Sequence, residues 1–325
     1  MKSEKKYLEQ LFGQKIIASV KLNAGVLSDI TKITLENNSS FYVKKSLPAP
    51  EVKGNISNLF KAISANRIRD EEKTIRLLYP LFNKSKVLKI PKMVYFDKKI
   101  NLLVTLDTKP EFSLEKTLIV GDMSPTVSSL LGRTIAKLQS TRNVQHGFIR
   151  ANHKRDMRQW HSLLRLRTVS LVDQNELNPE FNKLISKTYE EGLSNASDCF
   201  IHMDYCPKNI GYSKGRIHLY DFELSSFVGD PLFDLGFMIG HYLLFSLNQS
   251  PLLILKCANS MIESYYKESN ALARDCASVD MIWKYAWCTV VYRLKGASKV
   301  KYINKRDEKA LLQLAQESMK EIFNH

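Results

Sequence analysis

The stretch Ile201–Gly236 reads IHMDYCPKNIGYSKGRIHLYDFELSSFVGDPLFDLG, and its spacing decides the fold. Asp204 closes a His-Met-Asp triplet, Asn209 follows five residues later, and Asp221 stands twelve residues beyond Asn209. Between them, Ile210 to Asp221 reads as a strand, a turn at Ser213-Lys214-Gly215 and a returning strand. A chain that leaves Asn209, turns at Gly215 and returns to Asp221 places both side chains at the open end of one ladder. Asp204 then lies close to both.

Such a group suits phosphoryl transfer. One carboxylate must accept or orient the proton of an attacking hydroxyl, and separate oxygen ligands must hold Mg²⁺ against the phosphates. An Asp, an Asn five residues on and a later Asp-Phe pair are the catalytic arrangement of kinases. Local charge agrees. Residues 196–236 hold six acids against three bases, in a chain whose net charge is +15. Turn and capping residues could supply each acid separately, but they do not predict this order around a hairpin.

The segment resembles the aminoglycoside-phosphotransferase and choline-kinase branch of the protein-kinase-like superfamily. That branch carries His-Gly-Asp-x-x-x-x-Asn, then Asp-Phe-Glu or similar, then Gly-Asp-Pro-x-x-Asp-Leu. This chain reads His202-Met203-Asp204 through Asn209, then Asp221-Phe222-Glu223, then Gly229-Asp230-Pro231 through Asp234-Leu235. The resemblance implies Asp204 as catalytic base and Asn209 and Asp221 as magnesium ligands, with Asp234 bracing the loop from the next helix. Glu223 reads equally as a metal-facing or a supporting acid. His202 reads as a packed loop residue, and Lys208 as a phosphate contact or a solvated lysine. Met203 departs from the family's glycine, and a positive φ there would strain a methionine.

Upstream, alternation places strands over Ile16–Lys21, Asp29–Glu36 and Phe41–Lys44. A helix follows over Ile68–Phe82, then strands over Lys92–Phe96 and Ile100–Leu106. From about residue 110 the periodicity is helical: Ser124–Ser140, Lys154–Val169, Pro179–Ser194, Leu232–Leu247 and most of the chain from Pro251. The expected fold is α+β and protein-kinase-like: an antiparallel-sheet lobe with one helix over 1–107, and a larger helical lobe over 108–325. A cleft between lobes is where ligands bind. No G-x-G-x-x-G is present, so Gly25 and Ser28 are the candidates for a short phosphate-covering loop. Successive strand residues face opposite sides, so only one of Lys44 and Lys45 can enter the cleft. Similarity to Phe-Val-Lys strands in the family favours Lys44. Its helix partner is Glu71 or Glu72; Glu71 shares a face with Ile75 and Leu78 and is preferred. The adenine-bearing hinge is expected near Thr105 to Asp107, bonding through backbone groups.

Composition limits the rest. The 325 residues, 44% apolar and 25% charged, suffice for two packed lobes. Five scattered cysteines form no C-x-x-C pair and fit free thiols in a reducing compartment. The opening MKSEKKYLEQLFGQK has no signal-peptide core and reads as a helix, so a cytoplasmic location is expected. The apolar run Pro231–Leu247 is broken by Asp234 and His241 and reads as a buried helix, with no membrane role. The basic charge attracts polyanions such as nucleotides. It shows no aromatic interleaving of a nucleic-acid reader. The reading is therefore an ATP- or GTP-dependent, magnesium-dependent small-molecule kinase, acting as monomer or homodimer. Its hydroxyl acceptor is neutral or anionic rather than polycationic. A protein kinase is disfavoured, because Gly229-Asp230-Pro231 follows Asp221 too soon for an activation segment and no Ala-Pro-Glu is found. Met203 and the thin glycine loop leave a pseudokinase or nucleotide-binding module as the alternative.

Overall fold

A computed structural model of the chain describes residues 2–22, 28–47, 67–141, 146–172, 177–247, 249–269, 276–296, 299–300 and 302–324. Helix α1 (Lys2–Phe12) leads into strands β1 (Ile16–Leu22), β2 (Ser28–Leu35) and β3 (Ser40–Ser46). The turn before β3 forms as expected from its asparagines: Asn38 takes φ = +62°, a conformation this side chain tolerates. Helix α2 (Arg67–Phe82) is followed by β4 (Leu88–Lys89), β5 (Met93–Asp97) and β6 (Leu102–Leu106). One five-stranded sheet, ordered β1-β2-β3-β6-β5, is antiparallel throughout.

The period-2 pattern gives this sheet two working faces. Phe41 and Val43 of β3 pack with Ile33, Leu35, Leu102, Val104 and Leu8 of α1. Tyr42 and Lys44, one residue out of step, turn the other way and line the cleft. Helix α2 lies against β3, β5 and β6 and buries Ile68, Ile75, Leu78 and Phe82, the spacing read from the sequence.

Beyond the sheet come β7 (Phe112–Ser113), α3 (Leu114–Ile119), α4 (Pro125–Gln139), α5 (His146–Val172) and α6 (Pro179–Ser194). The expected hairpin is β8 (Ile210–Ser213) and β9 (Arg216–Leu219), turning through Lys214 and Gly215, both at positive φ. Two short strands escaped the sequence reading: β7 adds antiparallel to β8, and β4 adds parallel to β9. Each has two residues, too few to show alternation. Then follow α7 (Phe233–Leu243), α8 (Pro251–Ser269), α9 (Cys276–Lys295) and α10 (Lys305–Asn324). Helix α7 is shorter than the apolar run that announced it, and every residue in it is buried. Among the described residues, no helix is long and apolar enough to cross a membrane.

Helix α7 packs against α9 at close range because two glycines allow it. A Cβ on Gly236 would fall 2.6 Å from the Ile282 carbonyl oxygen, and one on Gly240 2.5 Å from that of Ala286. Real side chains do not reach that separation. This close crossing carries the end of α9 to the loop that holds Asp204.

Candidate active site

Asp204 sits in a loop fastened on several sides. Ile201 and Ser226 exchange both backbone hydrogen bonds at 2.8 Å. Asp234, in the first turn of α7, accepts the backbone N–H groups of His202 at 2.6 Å and Met203 at 2.9 Å. Burial pushes the Asp234 carboxyl up to about 7, against the pull of those two donors. Met203 adopts φ = +65°, the left-handed region that a glycine would enter freely. Holding another residue there costs about 1–3 kcal/mol, which surrounding contacts must offset. His202 is fully buried, with Nε2 3.0 Å from the Tyr220 carbonyl oxygen. Burial lowers its pKa, so it packs as a neutral ring.

The Asp204 carboxylate meets two cations and an amide. Oδ2 accepts from Lys208 Nζ at 2.9 Å and from Asn209 Nδ2 at 3.0 Å; Oδ1 accepts from Arg293 Nη2 at 3.3 Å. Burial alone would raise its pKa. Lys208 and then Arg293 outweigh that and hold the carboxyl well below the usual range, so it is ionised. Lys208 is raised in turn, chiefly by Asp204. Asn209 is fixed a second time by donating to the Asp204 backbone oxygen at 2.9 Å.

The hairpin does what its spacing predicts. The Tyr220 N–H donates to the Asn209 carbonyl at 3.0 Å, closing the ladder and bringing Asp221 beside Asn209. Lys44 Nζ lies at the centre of three carboxylates: 2.7 Å from Glu71, 2.5 Å from Asp221 and 3.0 Å from Glu223. Burial works against its charge, but Asp221, Glu223 and Glu71 together raise its pKa well above normal. Glu71 is pushed up to about 7 by burial, with Lys44 pulling the other way. Glu71 Oε1 also accepts the Phe222 N–H at 3.2 Å, tying α2 to the segment after Asp221. Lys45 is exposed, and Glu72 pairs with Arg76 on its own helix. Lys44 and Glu71 are thus the pair that meets.

Ligand oxygens of Glu71, Asp221 and Glu223 all lie within 4.8 Å of one another. Three carboxylates around one ammonium leave excess negative charge, and hard oxygen donors suit Mg²⁺ or Ca²⁺. The residues present therefore fit a divalent cation. Glu223 belongs to this cluster, and it also accepts from Ser28 Oγ at 2.6 Å. Gly25 lies outside the described residues.

A cleft of about 280 Å³ shares Glu71 and Asp221 with this cluster; its lining includes apolar Ile30, Leu103 and Ile210 and charged Lys44 and Lys208. Thr105 and Tyr42 line it. Asp107 does not. Its N–H donates to Ser40 O at 2.9 Å, and its carboxylate forms an ion pair with Lys32 Nζ at 2.7 Å and accepts the Lys109 N–H at 2.8 Å. Asp107 therefore serves as a strut of the strand end in this structure.

A family model described as a phosphotransferase enzyme family matches residues 121–255, the stretch that contains Asp204, Asn209, Asp221 and Asp234. Among solved structures the chain is similar to a macrolide 2'-phosphotransferase from Brachybacterium faecium, with a TM-score of 0.56 and 11% identity over 98% of this chain and 97% of that one. An amicoumacin kinase gives a TM-score of 0.56 and 13% identity over 98% and 93% of the two chains. A candidate fructosamine-3-kinase from Thermobifida fusca gives 0.52 and 11% over the whole of both. No curated protein matches. At these identities the solved structures bear out the kinase-like α+β fold.

The sequence leaves Arg293 unannounced. Nothing near it in sequence resembles a motif, and it reaches Asp204 only through the packing of α9 on α7. Burial and the Arg293 charge keep its other partner, His241, neutral; Arg293 Nε donates to His241 Nε2 at 3.1 Å.

Proposed function

We propose that the protein transfers the γ-phosphoryl group of ATP or GTP to a hydroxyl of a small molecule, a metabolite or an antibiotic. The gathering of Lys44, Glu71, Asn209 and Asp221 in one cleft, with Asp204 beside it and hydrogen-bonded to Asn209 at 3.0 Å, carries this reading. In it, residues 1–107 form the nucleotide lobe and 108–325 the catalytic and acceptor lobe. Lys44, aligned by Glu71, takes the α- and β-phosphates, and Thr105 borders the base. Asp221 and Asn209 hold Mg²⁺, with Glu223 close enough to share it. Magnesium bound there neutralises charge on the phosphates. The amicoumacin kinase, solved with AMP-PNP and Ca²⁺, supports a nucleotide and a divalent ion as its companions.

Asp204 orients the acceptor hydroxyl. As the new O–P bond forms, the hydroxyl proton passes to Asp204. The bond from the γ-phosphorus to the bridging oxygen breaks, and the nucleoside diphosphate leaves with that electron pair. A carboxylate held at so low a pKa takes the proton late, after bond formation has acidified the hydroxyl. Most of the catalysis is then positioning and charge stabilisation. Two cations, Lys208 and Arg293, stand against Asp204. They disfavour an acceptor with positive charge beside the reacting hydroxyl, so a neutral or anionic acceptor is preferred over a polycation. Met203, one of the two sequence features behind the binding-module alternative, holds the left-handed conformation that a glycine would enter freely.

The test is magnesium-dependent nucleotide consumption by the protein and by Asp204→Ala, against a panel of hydroxyl-bearing metabolites and aminoglycosides. An acceptor that stimulates consumption by several orders of magnitude more in the intact protein establishes the kinase. Nucleotide binding that no acceptor converts into turnover would favour the binding module. Normal turnover of kanamycin-type polycations would overturn the acceptor preference.

A further inference from the structure

Met203 immediately precedes Asp204, so its backbone sets the direction in which the Asp204 carboxylate leaves the loop. It holds φ = +65° with its side chain fully buried. An ordinary residue stays in that region only where its surroundings over-determine it. Two groups meet its backbone. Asp234 takes the N–H, as described above. On the other side, Arg167 Nη2 donates to the Met203 carbonyl oxygen at 2.7 Å.

Arg167 comes from α5, far away in sequence, and is itself buried. Its guanidinium lies 4.6 Å from the ring centre of Phe233, 4.5 Å from that of Phe237 and 5.6 Å from that of Tyr292. Two of those rings belong to α7 and one to α9. Stacking on aromatic faces fixes a planar guanidinium in a way that a flexible lysine cannot reproduce. The hydrogen bond it makes is charge-assisted, and therefore short and directional.

We propose that Arg167 is a positioning residue for Asp204: its hydrogen bond to the Met203 carbonyl holds the loop in the conformation that a glycine would adopt unaided. This rests on the reading of Asp204 as the base. Asp234 braces the loop from the N–H side, and Arg167 completes a clamp on the carbonyl side. Arginine on α5 and methionine before Asp204 are then two halves of one device.

The experiment uses the full chain as wild type, Arg167→Met, Met203→Gly and the double variant. Methionine fills the space between the rings without donating a hydrogen bond. Magnesium-dependent nucleotide turnover per folded molecule, nucleotide affinity and thermal midpoint are measured for all four. In the wild-type background, Arg167→Met should lower kcat by about a hundredfold, the scale of a small misplacement at a reacting centre, with nucleotide affinity barely changed. In the Met203→Gly background the same substitution should cost little, because glycine needs no clamp. An equal loss in both backgrounds would make Arg167 a packing residue and overturn the proposal, as would no loss in either. Should Arg167→Met fail to fold, Arg167→Lys takes its place with the same comparison of backgrounds. If even the wild type turns over no nucleotide, the reading of Asp204 fails. The clamp is then judged on thermal midpoints: a smaller drop from Arg167→Met in the Met203→Gly background upholds it, and an equal drop refutes it.

Discussion

A single buried lysine meets three carboxylates, and the balance among them fixes how the site responds to pH. Lys44 stays charged because Asp221, Glu223 and Glu71 together overcome the burial that opposes its charge. Glu71 is the member that titrates near neutrality, raised to about 7 by burial. Its charge is complete only above that value and is lost as pH falls through it. The Lys44–Glu71 ion pair therefore weakens on the acid side. We expect kcat/KM for nucleotide to fall as pH drops below about 7 and this acid limb to vanish in Glu71→Gln, whose plateau should sit below the wild-type maximum. A pH–rate profile of both proteins checks this; an unchanged acid limb in the variant would assign the titration elsewhere. Parity along β3 allowed only one of Lys44 and Lys45 into the cleft, and the resemblance to Phe-Val-Lys strands favoured Lys44. Val43 faces the core under α1, so its neighbours must face the cleft. The choice of Glu71 over Glu72 followed from helical spacing in the same way.

Helices α7 and α9 cross where glycine removes the side chain, and that crossing sets the reach of Arg293. Alanine at Gly240 would place its Cβ 2.5 Å from both the Ala286 carbonyl oxygen and Thr289 Cβ. One helix must move. Overpacking of this kind costs about 1–3 kcal/mol, and the shift should draw Arg293 away from Asp204. Gly240→Ala should therefore lose stability in urea unfolding by that amount and also lose turnover per folded molecule. Full turnover in a destabilised variant would show that the α7–α9 spacing does not govern the site. The hairpin β8–β9 works differently. Its turn chemistry and length already dictate that Asn209 and Asp221 meet, and no distant packing is needed to bring them together.

Across the molecule, the cleft collects groups from both lobes: Lys44 and Glu71 from the sheet lobe, Lys208, Asn209 and Asp221 from the helical one. A ligand that touches both should bind the folded chain alone and stabilise it by mass action. At a hundred times its Kd that amounts to about 2.7 kcal/mol. Nucleotide with Mg²⁺ should raise the thermal midpoint, and Asp221→Asn should remove the magnesium-dependent part while leaving a smaller nucleotide effect. An equal magnesium effect in that variant would place the ion elsewhere. The sequence by itself determined the order of the longer strands and helices and the hairpin that joins Asn209 to Asp221. These follow from local periodicity and turn residues, which act over a few positions and leave a visible pattern. Tertiary structure alone decided that Arg293 and Lys208 both bear on Asp204, that Glu223 joins the Lys44 cluster, and that the Asp107 carboxylate is engaged by Lys32 and Lys109. It also decided that Met203 can stand where glycine is expected, because Asp234 and Arg167 hold its backbone from elements 31 and 36 residues away. Such contacts arise from packing between distant segments, where burial and charge act through space and spacing along the chain carries no record of them.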